Sequence, residues 1–142
     1  MDIIIDHDII ERVEKGNILD EKGEYEKALE IYMDEWENFP RDKYNDDLSL
    51  WIASCIFGSY FSLEKYNEAK HWALECLKMK LPDYAIEEFM RAGEVYFELN
   101  EFDEAYSYFK IAYDRGKKRS FQSHDKKYWL FFKQRTDSLQ KI

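Results

Sequence analysis

The side chains that most often perform catalysis are present in this sequence, but they are scattered. Three histidines, His7, His71 and His124, lie far apart, and neither a metal-binding spacing such as H-E-x-x-H nor a neighbouring cysteine pair accompanies them. Asp125 follows His124 directly, but adjacency in sequence does not orient a general base. We therefore interpret the three histidines as surface residues rather than as catalysts or metal ligands.

The other groups capable of chemistry also lack a catalytic pattern. There is no G-x-S-x-G nucleophile motif, no phosphate-binding glycine loop and no G-x-G-x-x-G motif. Cys55 lies in an apolar stretch, which favours the unreactive thiol over the thiolate. Carboxylate pairs such as Glu87 and Glu88 carry little information about acid–base chemistry in so acidic a chain. The sequence predicts a non-enzymatic protein with no catalytic residue, no cofactor and no bound metal.

Charge is distributed unevenly along the chain. The 142 residues include 30 Asp and Glu against 21 Lys and Arg, for a formal net charge of −9. Residues 1–47 hold 16 acids and 6 bases, residues 48–116 hold 12 acids and 7 bases, and residues 117–142 hold 2 acids and 8 bases. The acidic body disfavours nucleic acid and anionic membranes as partners and favours a basic protein.

The composition is typical of a folded helical protein. Aromatic residues make up 18% of the chain, and only 5 Gly and 2 Pro occur, which favours one domain over residues 1–142 with few turns. No apolar run of about 18 residues occurs, and the N-terminus lacks the cationic region of a signal peptide. Two cysteines do not make a disulfide framework, so we expect a cytoplasmic protein without a transmembrane segment.

Apolar residues recur at helical spacing in seven segments. The predicted helices cover about 9–20, 24–38, 48–63, 66–79, 83–99, 102–115 and 123–139. Asp46 or Asp47 is predicted to cap the third helix, Gly116 to stop the sixth, and residues 117–120 to form a loop. The third helix is apolar on nearly all sides, which predicts a position between neighbouring helices.

Three of these helices open on the same pattern of a polar residue, an aromatic residue, two polar residues and alanine. The pattern occupies 24–28, 65–69 and 101–105, so its alanines are 41 and 36 residues apart. We predict that the aromatic residue fills the bend of a helix hairpin and that the alanine lets its two helices cross closely.

Further positions repeat around the first and third alanines. Gly16 and Gly93 lie twelve residues before them and predict a similar close approach on the first helix of each hairpin. Tyr32 and Phe109 lie four residues after them and are predicted to fill the seam between neighbouring hairpins.

These residues resemble the tetratricopeptide repeat, whose signature is W-x2-L-G-x2-Y, then A-x3-F, then P. The third hairpin fits best, whereas the middle one places Ala73 at the usual aromatic position and Pro82 one residue late. The resemblance implies an all-α, right-handed superhelix of antiparallel helix hairpins, with repeats at about 9–42, 48–82 and 83–116 and a capping helix at 123–139. The alternative is a helical hairpin bundle that meets the pattern by chance.

The resemblance also implies a binding surface, because the first helix of each repeat lines a concave side that grips a peptide or protein. The partner-binding residues that it implies form an acidic groove with aromatic anchors: Asn17, Asp20, Glu21, Trp51, Phe61, Glu87, Glu94, Phe97 and Glu98. The alternative is that these aromatic residues pack in the core and the acids are solvated. A carboxylate clamp, which some family members build from Lys, Arg and Asn, is not expected because Val13 and Glu21 accompany Asn17.

The resulting hypothesis is a protein–protein interaction module with a basic protein or peptide as its partner. Two roles fit it: a dedicated inhibitor or immunity protein for a basic toxin domain, and an adaptor or co-chaperone-like scaffold that docks peptides. A third hypothesis is nucleic-acid binding through the C-terminal segment, where Lys and Arg interleave with Phe121, Tyr128 and Trp129. Its alternative is a capping helix whose cations neutralise the acidic body.

Overall fold

The computed structural model describes residues 3–141 and is helical throughout. Seven α-helices follow one another: α1 (Ile3–Glu21), α2 (Tyr25–Glu37), α3 (Asp47–Ser62), α4 (Tyr66–Leu77), α5 (Glu87–Glu98), α6 (Phe102–Gly116) and α7 (Lys126–Gln140). Short 3₁₀ segments occur at Lys43–Asn45 and Lys117–Phe121, and residues 3–141 contain no β-strand. The predicted all-α class with about seven helices is confirmed. None of these helices is both long enough and apolar enough to cross a bilayer.

Two helix starts follow directly from side-chain caps. Asp46 accepts a hydrogen bond from the Leu48 amide at 2.9 Å and so caps α3, as predicted. Asp125 accepts one from the Lys127 amide at 3.0 Å, which places the start of α7 at Lys126 rather than at residue 123.

Other helix boundaries differ from prediction. The start predicted for α5 at residue 83 is wrong, because a turn in which the Ala85 amide donates to the Pro82 carbonyl at 3.0 Å comes first. Arg115 Nη1 donates to the Ala85 carbonyl at 2.7 Å and holds that turn in place. Helix α1 begins at Ile3 rather than at residue 9, and residues 117–120, predicted as a loop, lie in a 3₁₀ segment.

The chain divides into two compact units, an N-terminal unit that ends at Lys80 and a C-terminal unit that begins at Leu81. In the N-terminal unit, α1 packs on α2 and α3 packs on α4, while α2 packs on α3 and joins the two hairpins. Helix α3 thus lies between neighbours, as its apolar circumference predicts. In the C-terminal unit, α5 packs on α6, and α7 follows. The prediction of a single domain over residues 1–142 stays a prediction.

All three hairpins turn with the same backbone geometry. The residue two positions before the aromatic one has a left-handed conformation, with φ of 81°, 57° and 61° at Gly23, Glu64 and Asn100. The next amide donates to the carbonyl five residues back at 2.9–3.0 Å in each turn, which is the bond of a Schellman motif. The repeat predicted from side chains is therefore also a repeat of the backbone.

The small residues of the repeat lie at close helix crossings. The three repeat alanines, Ala28, Ala69 and Ala105, are fully buried. A Cβ atom added at Gly16 would lie 2.6 Å from Tyr32 Cε1, and one added at Gly93 would lie 2.5 Å from a carbon of the Phe109 ring. The predicted close approach at both glycines is confirmed, and each is filled by the aromatic ring of its own hairpin.

In the middle hairpin, the large residue of this pattern lies on the first helix and the small residue lies on the second. Phe57 lies twelve residues before Ala69, where the other hairpins have glycine, and Ala73 lies where they have an aromatic ring. Both are buried, with 5% and 1% of their surface exposed. The positions of the large and the small residue are therefore exchanged between the two helices, which predicts that the crossing keeps its volume although the motif is lost.

Gly116 ends α6 for a different reason from the one predicted. Its φ is −123°, and the left-handed residue at this helix end is Lys117, with φ of 57°. A Cβ atom on Gly116 would lie 2.5 Å from Ser120 Oγ and 2.7 Å from Ile86 Cδ1. Close packing, rather than a left-handed backbone, therefore favours glycine at this position.

Aromatic side chains build the core of the C-terminal unit. Its fully packed members are Met90, Ala105, Phe109, Ala112, Phe121, Tyr128 and Phe132. The Phe132 ring of α7 stacks on Tyr106 of α6 with ring centroids 5.1 Å apart. Helix α7 thus buries an aromatic face against α6, and the capping role predicted for residues 123–139 stays a prediction.

Candidate functional site

The predicted binding residues of α1 lie at its junction with α2 and α3. Tyr32 donates its hydroxyl to Asn17 Oδ1 at 2.5 Å, and Ser59 donates to Asp20 Oδ1 at 2.9 Å. Asn17 and Asp20 are half-buried, whereas Glu21 is exposed. Burial raises the pKa of Tyr32, so its hydroxyl keeps the proton that Asn17 accepts. Asn17 and Asp20 therefore hold the hairpins together, and Glu21 is the acid of this group that faces solvent.

The two predicted aromatic anchors of α3 have different surroundings. The Phe61 ring packs against Phe57 and Tyr66, with centroids 5.5 and 5.2 Å away, and so belongs to the bend of its hairpin. Trp51 is half-buried one helical turn before Cys55, whose Sγ lies 3.5 Å from the Oδ1 of Asn17. Trp51 thus lies on the side of α3 that approaches α1, with part of its ring open to solvent.

Two buried acids of the N-terminal unit stabilise the fold. Arg12 forms an ion pair with Glu35, which is 5% exposed. Glu75 accepts hydrogen bonds from Tyr44 at 2.6 Å and from Lys78 at 2.7 Å. Burial alone would raise the pKa of Glu75, but these donors hold it below its ordinary value. Part of the negative charge is therefore neutralised inside the unit.

His124 lies between two acids of α5 in the C-terminal unit. Its Nε2 is 3.0 Å from Glu87 Oε1, and its Nδ1 forms an ion pair with Glu94 Oε1 that lacks the alignment of a hydrogen bond. The hydrogen bond with Glu87 and the charge of Glu94 raise the pKa of His124 to about 10. The same bond with His124 lowers the pKa of Glu87. A histidine that is protonated at neutral pH does not act as a general base, so this arrangement favours a structural clamp.

The start of α7 covers the rest of the acidic face of α5. Glu98 accepts a hydrogen bond from the Tyr128 hydroxyl at 2.9 Å and forms an ion pair with Lys127 at the same distance. The Phe97 ring packs edge-on against Tyr128 and Phe131, with centroids 5.3 and 5.2 Å away.

Three predicted partner-binding residues are thus contacted by the C-terminal segment of the chain: Glu94 by His124, and Phe97 and Glu98 by α7. Glu87 is the exposed member of the α5 set.

A cleft of about 550 Å³ opens beside the start of α7. It is lined by Lys118, Arg119, Phe121, Gln122, His124, Lys126, Trp129 and Leu130. Lys118 Nζ lies 5.2 Å from the centroid of the Trp129 ring. The mixture of cations and aromatic residues in the sequence points to this segment, but the cleft itself depends on the 3₁₀ segment folding back beside α7.

His7, Asp8 and Glu11 bring their ligand atoms within 4.8 Å of one another on α1. All three are exposed, and exposed acidic groups are often close together without binding an ion. We assign no metal site to them.

The sequence comparisons agree with the geometry of the first hairpin. Residues 12–34 match the family model of the tetratricopeptide repeat. This segment spans the second half of α1, the turn at Gly23 and most of α2. The resemblance predicted from the sequence is therefore confirmed there. No protein of curated function matches the chain.

Proposed function

We propose that this protein, whose residues 12–34 are a tetratricopeptide repeat, acts by binding another protein or a peptide. One observation carries the proposal: the matched hairpin is followed by two further hairpins with the same left-handed turn and buried alanine. Repeated helix hairpins present extended surfaces for recognition and serve chiefly in protein binding.

We place the partner contact on the N-terminal unit and expect the partner to be basic. Residues 1–47 hold 16 acids against 6 bases, Glu21 is exposed, and Trp51 is half-buried. A rigid aromatic ring contributes contact area at little entropic cost, and nearby acids speed the encounter with a cationic surface. The acids of α5 contribute less to this proposal because His124 and Lys127 already contact them.

The narrower form of the proposal is an inhibitor or immunity protein for a basic toxin domain. The acidic charge and the small size support it, and an adaptor that docks basic peptides is the alternative form. We place the protein in the cytoplasm, because two cysteines, Cys55 and Cys76, in a chain of this size do not make the disulfide framework typical of an oxidising compartment.

Affinity capture with the full chain tests the proposal. Trp51→Ala should reduce partner affinity about 30-fold, the size of a loss of about 2 kcal/mol at an aromatic hot spot. Glu21→Lys should slow association and reduce its dependence on salt. Glu30→Lys, a charge reversal of an exposed acid on α2, is the matched control and should leave binding unchanged.

The composition of the captured material separates the two narrower forms. An inhibitor retains one stoichiometric partner, whereas an adaptor retains several that exchange quickly. If the Trp51 and Glu21 variants bind as well as the wild type, the binding face lies elsewhere. If the chain retains no protein at any ionic strength, the proposed function is rejected.

A further inference from the structure

The cleft beside the start of α7 combines an apolar floor with a basic rim. Trp129 and Leu130 provide apolar surface, and the Leu130 side chain is 55% exposed. Lys118, Arg119 and Lys126 surround it. Among the residues that the structure describes, no ion pair joins Arg119 or Lys126 to an acid, although the chain carries a net charge of −9. Such a cleft suits an apolar segment that carries acids beside it.

The first turn of α1 has the complementary chemistry. Ile3 and Ile4 are 77% and 74% exposed, the greatest exposure of any aliphatic side chain in the described residues. Asp6 and Asp8 follow within the next turn, and Asp8 is exposed. Large exposed apolar side chains beside charged ones are typical of a contact surface.

The charges of the two regions are opposite. Residues 3–21 contain six acids and two bases, whereas residues 117–130 contain five Lys and Arg and one acid. Lys126 also lies in the first turn of α7, where the helix dipole adds partial positive charge. Nucleic acid is the weaker candidate for the cleft, because its phosphates bring no apolar group to the exposed Leu130 side chain, whereas Ile3 and Ile4 supply apolar groups for the floor.

We propose that the first turn of α1 of one copy docks into the cleft of a second copy. Ile3 and Ile4 would cover Trp129 and Leu130, and Asp8 would face Lys126. The contact joins different surfaces of the two copies, so copies assemble either into a closed ring or into a growing chain. This contact between copies uses neither Glu21 nor Trp51. Its test is therefore independent of the test of the proposed partner binding.

The contact is small, so the association that it supports is weak and has to be measured as a function of protein concentration. One helical turn in a cleft buries less than the roughly 1,200 Å² of a stable interface, so we expect dissociation constants in the micromolar range or weaker. At an ionic strength of about 0.1 M, charges farther apart than about 10 Å are screened, and the local attraction outweighs the net repulsion of two acidic copies. Raising the salt concentration from that point should weaken association.

Sedimentation equilibrium of the full chain tests the apolar side of the contact. The average mass of the wild type should rise with concentration, and the double variant Ile3→Ser with Ile4→Ser should weaken association at least tenfold. The matched control is Ile10→Ser with Ile18→Ser, which replaces two exposed isoleucines farther along the same helix and should associate like the wild type.

A second pair of variants tests the cleft. Lys126→Glu with Leu130→Ser should also weaken association at least tenfold. Lys141→Glu with Leu139→Ser makes the same two replacements near the other end of α7, outside the cleft, and should have no effect. Circular dichroism of each variant confirms that its helices are intact.

Mixing the two defective proteins decides the geometry. The variant with the altered turn keeps its cleft, and the variant with the altered cleft keeps its turn, so the mixture should form a one-to-one dimer that grows no further. A wild type that stays monomeric, controls as defective as the designed variants, or a mixture that does not associate would each overturn the proposal. Labelled RNA bound by a monomeric wild type, with that binding lost in the cleft variant, would assign the cleft to another occupant.

Discussion

Replacing His124 with glutamine removes the positive charge between Glu87 and Glu94 and keeps a side chain of similar reach. In the folded protein the pKa of His124 is raised from 6.5 to about 10, and each unit corresponds to about 1.4 kcal/mol, which gives a gross interaction of about 5 kcal/mol. The Glu87 side chain is 51% exposed, so its share is reduced by solvent to about 1 kcal/mol or less. Glu94 is 8% exposed and loses its counter-charge in the variant. We expect His124→Gln to lower the free energy of unfolding by about 2–3 kcal/mol.

Urea unfolding, followed by far-ultraviolet circular dichroism, measures this loss. The double variant His124→Gln with Glu94→Gln should cost less than the two single variants together, with a coupling of at least about 1 kcal/mol, because no charge is then left buried. A loss of under about 0.5 kcal/mol for His124→Gln, or strict additivity, would refute the view that the imidazolium clamps α5.

The pH dependence of the same difference provides an independent check. The folded state holds a proton on His124 that the unfolded chain releases above its ordinary pKa of 6.5. The stability that His124 adds is therefore complete below that pH and declines as the pH rises toward 10. The difference in unfolding free energy between wild type and His124→Gln should shrink over this range, and a difference that grew would contradict the assignment.

Three further predictions concern the repeat, and unfolding free energies measure each. Asn100 and Gly23 both have positive φ, a conformation that glycine adopts more easily than other residues. Asn100→Gly should therefore stabilise the protein by up to about 1 kcal/mol, and Gly23→Ala should destabilise it by about 1 kcal/mol or more. An opposite sign for either variant would contradict the turn assignment. Gly93→Ala should cost about 1–3 kcal/mol, since its Cβ would overlap an aromatic ring, and a neutral result would mean that the ring moves. Phe57→Ala should cost about 3–5 kcal/mol, and adding Ala73→Phe should recover at least about 1 kcal/mol; additive costs would mean that these residues do not share one space.

The hairpins were predictable from the sequence because their signals are local. Each hairpin signal lies within six residues of sequence. It consists of a left-handed position, an aromatic residue two positions later and an alanine three positions after that. The start of α5 was not predictable in this way, since the turn at Pro82 depends on Arg115, which lies thirty residues away from the Ala85 carbonyl that it binds. Gly116 is similar, because the side chains that crowd it are those of Ile86 and Ser120.

The candidate site was likewise predictable only where its signals are local in the sequence. Helical spacing placed Glu87, Glu94 and Glu98 on one side of α5, and the structure agrees, since His124 and Lys127 reach all three. Spacing alone did not show that the chain returns to cover that side. The excess of cations after residue 116 was the available signal, and the alternative of a capping helix whose cations neutralise the acidic body anticipated such a contact without identifying the acids that it covers.

The middle hairpin shows which property a repeat conserves. Its sequence matches the signature least, with Ala73 in place of the aromatic ring, yet its turn has the same left-handed residue and the same Schellman bond as the other two. Phe57 is buried on α3 at the position where the other two hairpins have glycine, so its ring is placed to supply the volume that Tyr32 and Phe109 supply from the second helix of their hairpins. A helix crossing constrains the summed volume of the two side chains that meet there, and either helix can contribute the larger side chain. A signature written one position at a time therefore scores this hairpin as degenerate, although its turn and its buried alanine are the same as those of the other two hairpins.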